Sequence, residues 1–247
     1  MIKKTKLFTI LGLILALAIF IGWVIFELSL DDIKGEENIV KRAYYQVTNI
    51  LPVKPAVRLA VARRRQEHLL SCEIASLLMA LNYRGVAVTE NELIQQMPVS
   101  DPAPRSVDNI WGDPNLGFVG NINGKMPNTG YGVYEQPIYD LAIKYRDAKI
   151  INNASLNDLL LELGNGNPIV VWGVTGTGRD ISWQTAEGKT ISAKMNEHAR
   201  TLIGYTGQSN QPKLMILLDP VYGEIRLAAA DFLKNWAKLD NRAVVVY

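Results

Sequence analysis

An α+β domain is the fold class that the sequence predicts, and three observations predict it. Apolar residues recur at helical spacing through the first half of the chain, as in Ile74, Leu77, Leu78 and Leu81. Beyond residue 167 the period shortens to β-rich runs bounded by turns: 168–174, 199–205, 213–219 and 242–247. The one glycine-rich stretch after a strand, GVTGTGRD, lacks the third glycine and the following helix of a dinucleotide-binding turn. Helices come first and strands afterwards, an order that suits α+β better than alternating βαβ units.

The chain has 247 residues, 48% hydrophobic and 20% charged, enough for one domain with a substantial core. A net charge of +2 gives no reason to expect a nucleic-acid partner, which requires clustered Lys and Arg. The one compact basic run, Arg63 to Arg65, reads as a solvated turn. A single cysteine excludes an intramolecular disulfide and leaves two readings of the thiol, buried and inert or reactive.

Residues 7–26, LFTILGLILALAIFIGWVIF, hold no charge and are long enough to cross a hydrocarbon core as a helix. Lys3, Lys4 and Lys6 precede this stretch, and Asp31 and Asp32 follow it. That asymmetry predicts a cytoplasmic N-terminus, a single membrane pass and a domain outside the cytoplasm. A cleaved signal peptide would instead make the domain secreted, although FELSLDD offers no small-x-small cleavage site. Residues 1–30 are thus expected as anchor or signal, 31–59 as a stalk, and 60–247 as the domain.

Within the domain, Cys72 falls in the first turn of a helix that begins around Glu73, and Gly85 suits its C-terminal cap. Thr89 and Glu92 form a capping box for a short helix ending near Met97. About half of residues 100–133 are Gly, Pro, Asn or Asp, set among Trp111, Phe118 and Tyr131. Such a loop is either a wall of a binding site or an excursion packed on its own aromatics. Its Asp113, Asn115 and Gly117 echo a calcium loop only weakly, because the closing glutamate is absent. Pro137 with Ile138, Leu141, Ala142 and Tyr145 predicts a third helix, and Ser155 with Leu159, Leu160 and Leu163 a fourth. Trp172 and Trp183 are expected in the core or lining a groove.

A thiol attacks carbonyls as thiolate, and a helix N-terminus favours that negative charge. Cys72 has this placement and needs a base. Of the two histidines, His68 lies on the segment that leads into the same helix, whereas His198 opens the strand ARTLIGY, where it can face the thiol from across the fold. Asp219, at the end of KLMILLD, is placed to orient His198 if the two strands are neighbours; an Asp-Pro at a strand end is also ordinary turn chemistry. Gln66, six residues before Cys72, can turn its amide toward an oxyanion. A metal site on Cys72 and the histidines has too few nitrogen and sulfur ligands.

Taken together, Gln66, Cys72, His198 and Asp219 in that order resemble the papain-like cysteine peptidases. The stretches RQEHLLSCEIASLLMALNY and WGDPNLGFVG, the Glu197-His198 pair ahead of GY, and LLDP are similar to the stand-alone branch of the bacteriocin-processing, double-glycine leader peptidases. The resemblance spans roughly 60–247. It implies a papain-like fold with the thiol on a helix and His and Asp on a facing antiparallel sheet, and neither a metal nor an organic cofactor. Cys72 would be the nucleophile, His198 the base, Asp219 its orienting group and Gln66 an oxyanion donor. The expected substrates are peptide, protein or cell-wall-linked amide bonds. A transpeptidase with the same thioester chemistry and a non-catalytic peptide- or cell-wall-binding module are the alternatives.

Overall fold

The computed structural model describes residues 12–27, 38–151 and 153–247 in full, and residues 2–11 and 28–29 as helical backbone only. The chain begins with α1 (Ile2–Ser29) and α2 (Ile39–Ile50), followed by β1 (Pro55–Arg58). The helical part of the domain holds α3 (Cys72–Tyr83), α4 (Glu90–Gln96), β2 (Val99–Asp101), β3 (Phe118–Gly120), β4 (Gly130–Gly132), α5 (Glu135–Ala142), β5 (Ala148–Ile150) and α6 (Leu156–Gly164). The sheet-forming part holds β6 (Ile169–Val174), β7 (Asp180–Gln184), β8 (Thr190–Lys194), β9 (Glu197–Gln208), β10 (Gln211–Asp219), β11 (Gly223–Ala228), α7 (Ala229–Trp236) and β12 (Ala243–Val246).

The principal sheet has seven strands, in the order β11-β10-β9-β6-β12-β5, with β1 also pairing with β9. Every pairing in it is antiparallel. Because strand side chains alternate, the sheet separates two apolar clusters. Val170, Trp172, Val174, Val244 and Val246 join α3 and α5 on one side. Ile169, Val171, Ala243 and Val245 join α6 and α7 on the other. The α+β class, the four predicted strands and the predicted helices are all present, with ends that move by a few residues.

Helix α3 lies against β9, tied by the Thr201 hydroxyl donating to the Ser76 carbonyl at 2.9 Å. Gly85 ends the segment with φ +81, a left-handed conformation that costs glycine nothing. The Thr89–Glu92 capping box starts α4 as the sequence predicts, and Ser155 and Asp158 form a second box at α6.

Two regions differ from the sequence reading. The expected stalk contains α2 and β1, and β1 extends the main sheet through Pro55, Val57 and Arg58 opposite β9. Asn38 caps α2, and Tyr45 packs against Tyr222 with ring centroids 5.5 Å apart, so this segment is fastened to the domain. The weak periodicity of residues 38–50 hid a short amphipathic helix whose partner surface exists only after folding. Likewise, the 100–133 segment is not bare loop, since β2, β3 and β4 form a small sheet. Trp111 and Trp183 meet edge-on at 5.4 Å, and Tyr131 and Trp183 at 5.1 Å. Its calcium-like Asp113 is used internally, bound to Lys189 at 2.6 Å and to the Asn115 amide at 2.9 Å.

Among the described residues no helix is long and apolar enough to cross a membrane. The predicted span over 7–26 lies partly outside them, because the side chains before residue 12 are not described.

Candidate active site

Strand β9 and the N-terminus of α3 bring the chemistry together. Cys72 opens α3 and has no exposed surface. The amide of Ala199 donates to Cys72 Sγ at 3.5 Å, so the thiol sits against the peptide that joins His198 to Ala199. The thiol itself donates to Glu73 Oε2 at 3.1 Å. Glu73 Oε1 accepts the Val133 amide at 3.0 Å, which fixes the carboxyl between helix and loop. Glu197 completes this corner: one ligand atom each from Cys72, Glu73 and Glu197 lie within 4.8 Å of one another.

His198 faces a different set of groups. Its Nε2 lies 3.0 Å from Asp219 Oδ2, and the same oxygen accepts Arg200 Nε at 2.8 Å. Asp219 Oδ1 accepts the amides of Val221 and Tyr222 at 2.8 and 3.0 Å. Burial alone would raise the pKa of this fully enclosed carboxyl. The facing His198 and the Arg200 guanidinium, helped by those hydrogen bonds, override it and hold Asp219 far below the usual carboxylate range. Asp219 thus presents an ionised oxygen to the imidazole Nε2. Gly173, paired with His198 across the strands, leaves room for Asn235, whose Oδ1 would clash with a Cβ there.

Gln66 is also close by, with both amide protons engaged. Its Nε2 donates to the carbonyls of His68 at 2.7 Å and Leu69 at 2.9 Å, so in this structure it braces the segment leading into α3. Donation to an oxyanion would require one of these bonds to be released. Ser71, in the same segment, donates to buried Glu90 at 2.5 Å, and Glu90 also accepts the Glu67 amide at 3.0 Å. Burial pushes the Glu90 carboxyl up despite those two bonds. His68 is set apart, its Nδ1 3.1 Å from the Asn123 side chain.

The 100–133 segment reaches both lips of the site. Ile122 O accepts the Leu70 amide at 2.9 Å on the helix side, and Met126 Sδ accepts the Asn196 amide at 3.2 Å on the sheet side.

Residues 58–244 match the model of the Peptidase_C39 like family. The chain belongs to that family. The protein YvpB of Bacillus subtilis is 35% identical over 184 residues, covering 71% of this chain and 68% of that one. A crystal structure of a C39-like peptidase from Bacillus anthracis superimposes with a TM-score of 0.68 at 27% identity, over 79% of this chain and 98% of that one. A double-glycine motif protease from an AMS/PCAT transporter, solved with its leader peptide, is more distant at 16% identity and a TM-score of 0.43, over 79% of this chain and 97% of that one. The C39-like chain described here is a cysteine peptidase.

The structure places the sequence-predicted Cys72, His198, Asp219 and Gln66 in one region, together with four neighbours to which the sequence reading gave no role. Arg200 had a signal, since it lies two positions beyond His198 on a strand and so shares its face. Glu197 was visible as half of the Glu197-His198 pair without a role. Glu73 and Glu90 carried no signal, because each reads as an ordinary first-turn helix acid until burial is known.

Proposed function

We propose that this chain is a membrane-anchored, extracytoplasmic cysteine peptidase that cleaves peptide or amide bonds through Cys72, His198 and Asp219. The observation that carries the reading is the pairing of His198 with Asp219 at 3.0 Å while the next amide, that of Ala199, rests on Cys72 Sγ. With Nε2 committed to Asp219, Nδ1 is the ring nitrogen left for the thiol proton. Cys72 Sγ then bonds to the carbonyl carbon of the substrate, and the oxygen takes the negative charge. The amides at the start of α3, with Gln66 once its bond to Leu69 or His68 is released, stabilise that oxyanion. Collapse breaks the C–N bond, and the imidazolium returns its proton to the leaving amine. Water attacks the thioester with His198 as base, giving a carboxylic acid and the free thiol.

Cys72 has no exposed surface, so substrate access requires a rearrangement of the residues around the thiol. Peptide, protein and cell-wall-linked amides are the substrate classes of this reading. The apolar, uncharged run over 7–26 supports the anchor, and so does the exposure of Leu13, Ile14, Leu15 and Trp23 on different sides of α1.

A peptide-library screen with the full chain in detergent tests the peptidase reading. Cleavage should vanish in Cys72→Ala and fall by on the order of 10⁴-fold or more in His198→Ala. Products joined to an added amine would favour the transpeptidase, and tight binding without any cleavage would favour the non-catalytic module. Protease added to intact cells should remove a C-terminal tag and spare an N-terminal one. A protected C-terminal tag would place the domain in the cytoplasm.

A further inference from the structure

Helix α2 is amphipathic with its faces reversed. Ile39, Ala43, Val47 and Ile50 recur at helical spacing along one stripe, and Lys41, Tyr45, Thr48 and Asn49 recur along the opposite one. A helix on the surface of a domain ordinarily turns the apolar stripe to the core. Here the polar stripe faces inward. Lys41 is buried, Tyr45 packs on Tyr222, and Asn49 Nδ2 donates to the Glu224 carbonyl at 2.6 Å. The apolar stripe is left outside, with Ile39 81%, Val47 63% and Ile50 78% exposed, and Leu51 beside them at the end of the helix also exposed.

This orientation is fastened at both ends of the helix. The Asn38 amide donates to the Tyr222 hydroxyl at 3.1 Å, and Arg226 Nη1 donates to the Leu51 carbonyl at 2.9 Å. Adjoining apolar side chains held rigidly outward mark a surface that meets something other than water. What it meets follows from α1. Nine residues, 30–38, join the two helices, and even fully extended they reach only about 30 Å. The helices also touch, and the stripe stays exposed beside the contact. Leu13, Ile14, Leu15 and Trp23 are exposed around α1, so a helix apolar on several sides stands next to one that is apolar on a single side. The first suits the interior of a bilayer and the second suits its surface.

We propose that α2 is a membrane-docking helix that lies flat on the outer leaflet and sinks Ile39, Val47, Ile50 and Leu51 into the boundary between lipid headgroups and acyl chains. This rests on the reading of residues 7–26 as a membrane anchor. Because α2 is bonded to Tyr222 and to β11, the docked helix holds the peptidase domain against the bilayer in one orientation. A flexible stalk would leave that orientation free.

The test uses the full chain carrying Cys72→Ser, reconstituted in bilayers of phosphatidylcholine and phosphatidylglycerol. One cysteine is introduced at a time, as Val47→Cys, Ile50→Cys or Leu17→Cys, and labelled with an environment-sensitive fluorophore. Labels at 47 and 50 should be shielded from iodide in the water and quenched more by lipids brominated near the headgroup than by lipids brominated at the chain ends. Iodide quenching without lipid quenching would overturn the proposal. Shielding from both quenchers would overturn it too, because a second copy of the chain would then cover the stripe. If one of these two labelled variants fails to fold, the other decides. The label at 17 reports separately on the anchor. Quenching there by the deep bromines, with no lipid contact at 47 or 50, would sink the docking helix and keep the anchor. Shallow quenching at all three positions would uphold the docking helix and sink the membrane span.

Discussion

Adjacent residues of β9, Glu197 and His198, belong to two buried acid sites built from different partners. On the His198 side, Asp219 is enclosed as completely as any residue in the molecule. It nonetheless receives a histidine, an arginine and two backbone amides, which keep it ionised. On the Glu197 side, two carboxyls and a thiol lie together, and Glu73 accepts both the Val133 amide and the thiol itself. Equal burial thus surrounds Asp219 with cationic donors in one place and gathers Glu73 and Glu197 around the Cys72 thiol in the other. Burial sets the penalty for charge, and the donors within reach decide whether that penalty is met.

The largest expected effect comes from breaking the compensated side. Asp219→Ala leaves Arg200 buried without its carboxylate and should cost about 3–5 kcal/mol of stability, read from urea unfolding midpoints. Asp219→Asn keeps the shape and removes the charge. It should lower turnover by on the order of 10²- to 10⁴-fold, less than His198→Ala, because the imidazole remains but loses the group that orients it. Equal losses in the two variants would mean that Asp219 does more than orient.

The same contrast sharpens in acid. The folded pKa of Asp219 is depressed, so its contribution to stability is fully present above the unfolded value of about 3.9 and is lost as pH falls through the folded value. The stability gap between the parent and Asp219→Asn should thus narrow steadily below about pH 4. Glu90 has the opposite sign. Its folded pKa is raised, so its stabilisation is present below the unfolded value and is lost as pH rises toward the folded one. Glu90→Gln, which keeps an acceptor for Ser71 and the Glu67 amide, should change neutral-pH stability by less than about 1 kcal/mol. Glu90→Ala should instead free Ser71 and reduce turnover.

The smallest effect concerns Gln66. Its two donor bonds brace the segment before Cys72, so Gln66→Ala should loosen that segment and leave the midpoint of thiolate formation in place. A turnover loss approaching 10²- to 10³-fold would show that its amide also serves the oxyanion. A loss of only a few-fold would assign it to bracing alone.

Much of this was legible from the sequence. The helical stripe after Cys72, the capping box at Thr89, the strand that His198 opens and the strand that Asp219 ends are local patterns, and local patterns survive folding when the tertiary environment agrees with them. The pairing of His198 with Asp219 could be anticipated because β9 and β10 are consecutive strands, which are usually neighbours. The segment before residue 60 was misjudged because α2 and β1 draw their stability from contacts with Tyr222 and β9 that no local pattern encodes. Arg200 was recoverable from strand alternation alone.

By itself, then, the sequence determined the α+β class, the apolar N-terminal run, and the placing of Cys72 at a helix start, His198 at the start of a strand and Asp219 at the end of one. These follow from residue type and from periodicities of two and 3.6, which are properties of the chain. Only the tertiary structure decided what surrounds each buried acid. Asp219 is held ionised by His198 and Arg200, which the pairing of neighbouring strands brings to it from the other strand.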